Sequence, residues 1–179
     1  MATPTRRLTL IALLLALALA LHQAERLLPF ALPFPGVKPG LSNLVTILSL
    51  FLLPSYLAFA FVIVRSLLTA ALGGFSGLVF SLWGGVLAFT LMTNLAYSWP
   101  RHFSLPGISV AAAIMHNLGQ LMVAAVLSQT PALILYLPTL IIAGSISGFA
   151  IGYTGRLLLR ALYKSGLVVF NEQLLPLIS

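Results

Sequence analysis

Three polar clusters interrupt an otherwise apolar chain, and their spacing limits the chemistry they can do. The run HNLGQ sets His116, Asn117 and Gln120 at i, i+1 and i+4, so on a helix they project from one side. Ala112, Ala113 and Ala124 extend that side, while Ile114, Leu118, Leu121 and Met122 occupy the other. Arg65 carries Ser66 and Thr69 on its own helical face. Ser42, Asn43, Thr46 and Ser49 form a third polar edge, and the stretch PFPGVKPGLSNLVTI places Lys38 just ahead of it. Pro39 biases Lys38 to an extended conformation, and a helix beginning at Gly40 exposes its first N–H groups. A cation beside a free helix start suits an anion. The competing reading is an interfacial turn whose lysine meets lipid phosphate.

These residue types supply hydrogen bonds and positive charge, which is the chemistry of recognition. Catalysis on a prenyl diphosphate needs paired carboxylates to hold Mg²⁺ on the leaving group, because the metals neutralise it. The chain has two acids, Glu25 and Glu172, far apart in sequence. It has no P-loop, no HExxH and no Ser-His-Asp arrangement with an acid in reach. The expectation is a protein that is not an enzyme, with no metal and no cofactor; any ATP-driven step would need a separate ATPase. Zero cysteines exclude disulfides and thiol chemistry.

The elements that position these clusters follow from composition. Of 179 residues, 60% are hydrophobic and 6% charged, with a mean hydropathy of +1.12. So little polar surface cannot cover a water-soluble globule, so the fold class is an all-α integral membrane protein. Spanning helices need roughly 20 apolar residues, and polar and Pro/Gly breaks delimit six: Leu8 to Leu28, Leu41 to Leu53, Tyr56 to Leu72, Gly77 to Tyr97, Ile108 to Ser128 and Ala132 to Tyr163. Residues 1–165 make one membrane domain, and 166–179 a tail that either lies along the interface or frays. Arg6-Arg7 before an apolar run with an A-x-A pattern also fits a signal peptide, but renewed apolar character at Leu27-Leu28 favours a retained helix.

With both termini inside and six spans, Arg6, Arg7, Arg101, Arg156, Arg160 and Lys164 fall on the cytoplasmic side, and Arg26 and Lys38 outside. Arg65 lies within the third span. A charge there is costly and must face the bundle interior or water; its partner is either Glu25 or a ligand. The three clusters then share an outward-opening cavity, positive in charge, suited to a carboxylate, phosphate or diphosphate with an apolar remainder. The basic residues bracket membrane spans, which disfavours nucleic acid even at a pI near 10.6. Small residues recur every fourth position at Ala12, Ala16, Ala20 and Ala24, and at Gly144, Gly148 and Gly152. Such stripes let helices approach closely in lipid, within this chain or against a partner.

The stretches PGVKPGLSNLVTIL, FSLWGG, GISVAAAIMHNLGQLMVA and YLPTLIIAGSISGFAIG resemble the Gx transporter family, also called heptaprenyl diphosphate synthase component I. The likeness runs from the first helix to Tyr163, with Pro39 as a departure that stiffens the loop. The family is similar to the substrate-binding S components of energy-coupling factor importers. This resemblance implies a multi-pass protein of the inner (cytoplasmic) membrane that takes up a small anionic or amphipathic compound, energised by a coupling subunit and ATPases. Lys38, Gly40, Asn43, Thr46, Arg65, Thr69, His116, Asn117 and Gln120 would meet the ligand, and Ala12, Ala16 and Ala20 the coupling subunit. The alternative is a non-catalytic membrane subunit associated with heptaprenyl diphosphate or quinone synthesis, or with a membrane flavin redox complex.

Overall fold

The computed structural model describes residues 4–27, 40–166 and 168–178, the side chains of 4, 26 and 72–76 apart. Lys38 therefore lies outside the described residues. Among those described there is no strand. The elements are α1 (Pro4–Leu27), α2 (Leu41–Leu52), α3 (Ser55–Ser98), α4 (Leu105–Leu127) and α5 (Leu137–Ser165), with 3₁₀ turns at Pro131–Tyr136 and Glu172–Leu177.

The expected third and fourth helices appear as one element, because α3 keeps helical backbone over 44 residues. As a straight rod it would be about 66 Å long. Instead it doubles back: Phe59 meets Phe89 at a ring separation of 6.0 Å, and Ser81 Oγ donates to Ser66 Oγ at 3.2 Å. The two arms, Ser55–Ala71 and Gly77–Ser98, run antiparallel. Six helical rods thus pack together among the described residues. Length and apolar composition qualify four of them to cross a membrane: Thr5–Glu25, Gly77–Ser98, Leu105–Leu127 and Pro131–Ser165. The expected second and third spans are the apolar but shorter α2 and first arm of α3.

Glycines set the closest crossings. A Cβ on Gly152 would lie 2.6 Å from Ser109 Cβ and 2.7 Å from Pro106 Cα, and one on Gly148 2.8 Å from the Ser109 carbonyl oxygen. The stripe on α5 is therefore spent on packing against α4. Gly119 of α4 similarly abuts Gly84 of α3, where a Cβ would come within 3.1 Å of Gly84 Cα. The alanine stripe behaves differently. Leu14 and Ala18 turn inward on α1, leaving Ala12, Ala16, Ala20 and Ala24 exposed.

The described tail residues pack against the bundle. Leu174, Leu177 and Ile178 are buried, the Asn171 N–H donates to the Phe51 carbonyl at 3.0 Å, and Asn171 Nδ2 donates to the Tyr97 hydroxyl at 2.7 Å. Arg160 Nε donates to the Ile178 carbonyl. Arg6 and Arg7, the corner at Leu52–Pro54 and tail residues 168–171 line one groove, so both chain ends lie at the same end of the bundle.

Candidate functional site

At the opposite end the rods splay around a cavity of about 820 Å³, within the range of small-molecule sites. Its mouth is formed by His22 and Glu25 of α1, Gly40 before α2, Ala124 of α4 and Tyr136; its depth reaches Met92, Ser109 and Ile151. All of the predicted ligand residues that are described line it: Gly40, Asn43, Thr46, Arg65, Thr69, His116, Asn117 and Gln120. Residues from three separate helices, α2, α3 and α4, distant in sequence, meet at one cavity.

Arg65 is the cavity's cation, 4% exposed. Its NH1 donates to Thr46 Oγ1 at 2.8 Å, to the Ser42 carbonyl at 3.1 Å and to Asn43 Oδ1 at 3.4 Å. The polar edge of α2 thus holds one nitrogen of the guanidinium. The other terminal nitrogen, NH2, is opposite Gly85, where a Cβ would stand 3.7 Å away. Neither NH2 nor Nε hydrogen-bonds to the described residues, so a fork of donors remains for the cavity. Around Arg65, Thr69 Oγ1 donates to the Ser66 carbonyl at 2.9 Å and Ser66 Oγ to the Val62 carbonyl at 3.0 Å. These own-helix bonds satisfy the hydroxyls and leave the guanidinium as the strong donor.

Glu25 corrects the picture of an open helix start. Its carboxylate accepts the N–H of Leu41, the first of α2, and the Asn43 N–H goes to the Gly40 carbonyl at 2.8 Å. Gly40, at φ +80°, has the left-handed backbone that turns the chain into α2. An anion cradle at Gly40 would compete with Glu25 for the Leu41 N–H. Glu25 attracts Arg65 electrostatically, while the hydrogen bonds of Arg65 go to α2. The cavity therefore holds one cation and one carboxylate among the described residues.

On α4 the predicted trio divides. Asn117 Nδ2 donates to the Leu140 carbonyl of α5 at 3.0 Å, so part of its capacity ties two helices together. His116 packs on Gly84, where a Cβ would fall 3.0 Å from both Cε1 and Nδ1 of the imidazole and 2.9 Å from the His116 carbonyl oxygen. Gln120 hydrogen-bonds to none of the described residues and turns its amide to the cavity. Ser109, one helical repeat before His116, lines the same wall; its place at i−7 was readable from the sequence. His22, three residues before Glu25, was readable in the same way. Tyr136, carried by the 3₁₀ turn, and Phe80, Phe89 and Met92 had no sequence signal that separates them from ordinary packing.

No group of three or more His, Asp or Glu that could hold a metal occurs among the described residues. A magnesium–diphosphate centre does not fit them, because the one carboxylate lining the cavity is engaged at the start of α2.

The fold and site define an all-helical membrane protein with a polar, arginine-bearing cavity open at one end. The sequence model of the heptaprenyl diphosphate synthase component I family matches residues 14–158, and the chain belongs to that family. No curated protein and no solved structure matches it.

Proposed function

We propose that this protein is a membrane subunit without chemistry of its own, which holds a small anionic or amphipathic molecule in its end-open cavity and works beside a separate prenyl diphosphate synthase component. The observation that carries this reading is Arg65, fixed to α2 through NH1 with its remaining donors toward the cavity. A buried guanidinium is costly unless it is compensated, and an incoming carboxylate or phosphate completes that compensation. Gln120 and His116 orient the polar part of the ligand, and Lys38, two residues before Gly40 in the sequence, is a further candidate for the anion. Six spans in the inner membrane place the basic end, with Arg6, Arg7, Arg156, Arg160 and Lys164, in the cytoplasm and the mouth outside.

Family membership supports the synthase association, because the family's name implies a partner component. The test pairs partner capture with binding. The purified protein should co-purify with the soluble synthase component and be thermally stabilised by farnesyl diphosphate or inorganic diphosphate, the shift disappearing in Arg65→Met. Equal stabilisation of the wild type and Arg65→Met would overturn the site, and absence of the synthase from the complex would overturn the association.

A second reading, uptake through a coupling subunit and ATPases, is favoured by the exposed face of Ala12, Ala16 and Ala20. Helices with small residues dock closely against partners in lipid. That reading requires ATPases in the purified complex and their loss on Ala16→Leu.

A further inference from the structure

The central cavity is long and narrow. On α4 its lining runs from Ala124 at the mouth to Ser109 at the floor, about 22 Å at the rise of an α-helix. Spread over that length, its volume of about 820 Å³ gives an average cross-section of about 37 Å², a slot rather than a bowl. Arg65 stands partway down. Its NH2 is opposite Gly85, and the adjoining Gly84 packs on His116, so the guanidinium and His116 share a level. Ser109 lies one helical repeat deeper, about 10 Å toward the closed end. Between these levels the walls are Ile47 of α2, Ala88, Phe89 and Met92 of α3, Ala112 of α4 and Ile151 of α5. No charged side chain among the described residues lines that stretch.

Ser109 is 5% exposed. A serine inside a helix commonly returns its hydroxyl to a carbonyl one turn back, and the other buried hydroxyls are committed. Thr46 Oγ1 accepts from Arg65, while Ser49, Ser66 and Thr69 donate to carbonyls of their own helices. The Ser109 hydroxyl, at the floor of the slot, hydrogen-bonds to none of the described residues. A buried hydroxyl left in that state is costly, and a ligand oxygen reaching the floor removes the cost.

We infer that the ligand of this cavity is an elongated molecule that enters with its uncharged end first and carries an oxygen acceptor at that end. The inference rests on the anion site proposed at Arg65. The anionic group stops at the guanidinium, the apolar body lies between Phe89, Met92 and Ile151, and Ser109 donates to a carbonyl or hydroxyl oxygen about 10 Å below the anion. A compact anion would meet Arg65 but leave the slot beneath it empty. A plain hydrocarbon chain would fill the slot and bury the Ser109 hydroxyl without a partner.

The test compares 9-oxodecanoate with decanoate, acids of matched length, through the thermal stabilisation each gives the full chain in detergent. Ser109→Ala keeps the Cβ that packs over Gly152 and removes only the hydroxyl. It should weaken 9-oxodecanoate about tenfold and leave decanoate within about twofold. Comparing each acid with itself cancels its partition into detergent. Arg65→Met should abolish stabilisation by both. Unchanged affinity for 9-oxodecanoate in Ser109→Ala, or a wild type that neither acid stabilises, overturns the inference. The anion site survives that outcome if inorganic diphosphate stabilises the wild type and not Arg65→Met. Equal stabilisation of Arg65→Met and the wild type by both acids overturns the anion site and the inference with it. A measurement on the wild type keeps the orientation falsifiable if a variant does not fold. Decanoate with a photoreactive diazirine at its chain end should label peptides covering 88–92 and 105–113, and labelling confined to 120–124 or 133–140 refutes it.

Discussion

Gly152→Ala is the substitution whose consequence the packing of α4 on α5 dictates most sharply. Replacing glycine by alanine inside a helix is intrinsically favourable by about 1 kcal/mol. At Gly152 the new methyl would stand 2.6 Å from Ser109 Cβ and 2.7 Å from Pro106 Cα, where carbon pairs prefer about 3.5–4.0 Å. Both are atoms fixed to the backbone and cannot rotate away, so α5 must withdraw from α4 by about 1 Å, and overpacking of this kind costs about 1–3 kcal/mol. With the upper end applying to two rigid contacts, the net loss is about 2 kcal/mol. Gly77→Ala is the matched control, since a Cβ there meets nothing within 4 Å, and it should gain about 0.5–1 kcal/mol. Thermal unfolding of both variants in the same detergent should place their midpoints about 6–12 °C apart, Gly152→Ala the lower. The same withdrawal would loosen the Asn117–Leu140 hydrogen bond that joins the two helices at the cavity wall. Midpoints that coincide, or a Gly152→Ala protein more stable than the wild type, would refute the claim that the glycine stripe is an internal crossing.

Other perturbations separate structural from functional roles. Glu25→Ala removes the acceptor of the Leu41 N–H and should lower stability by about 1 kcal/mol, read as a lower melting midpoint. Truncation after Gly166 removes the buried Leu174 and Leu177 and should destabilise the bundle by at least about 3 kcal/mol, seen as a shift in denaturant midpoint; an unchanged midpoint would mean the tail is dispensable. Ala16→Leu, on the exposed face of α1, should leave the melting of the isolated protein within about 0.5 kcal/mol of wild type, so any loss of a co-purifying subunit reports docking alone.

The rods were legible because apolar runs, four of them long enough to span a membrane, are bounded by Pro, Gly and polar breaks, and the gap between Leu72 and Gly77 marks the place where α3 reverses. Convergence on one cavity was legible from helical periodicity: positions 109, 112, 113, 116, 117, 120 and 124 repeat at three and four residues and all line it. Other features depend on contacts between distant parts of the chain, which local spacing does not encode. Glu25 reaches across 16 residues to the start of α2, so the helix that reads as uncapped is capped from outside its own sequence. Tail residues such as Leu174 look like a weak amphipathic stretch until Asn171 anchors them against α2 and Tyr97. The choice of α2 as the partner of Arg65 likewise arises from packing, which brings Thr46 within 2.8 Å and leaves the carboxylate of Glu25 to the helix start.

The central claim, an anion held at Arg65, is tested most directly by mass spectrometry of the small molecules retained by the gently purified protein and by its Arg65→Met variant. An anionic compound present at near-stoichiometric level in the wild type and lost from a folded Arg65→Met protein is the predicted result. Retention of the same compound by both proteins, or of no anion by either, would contradict it.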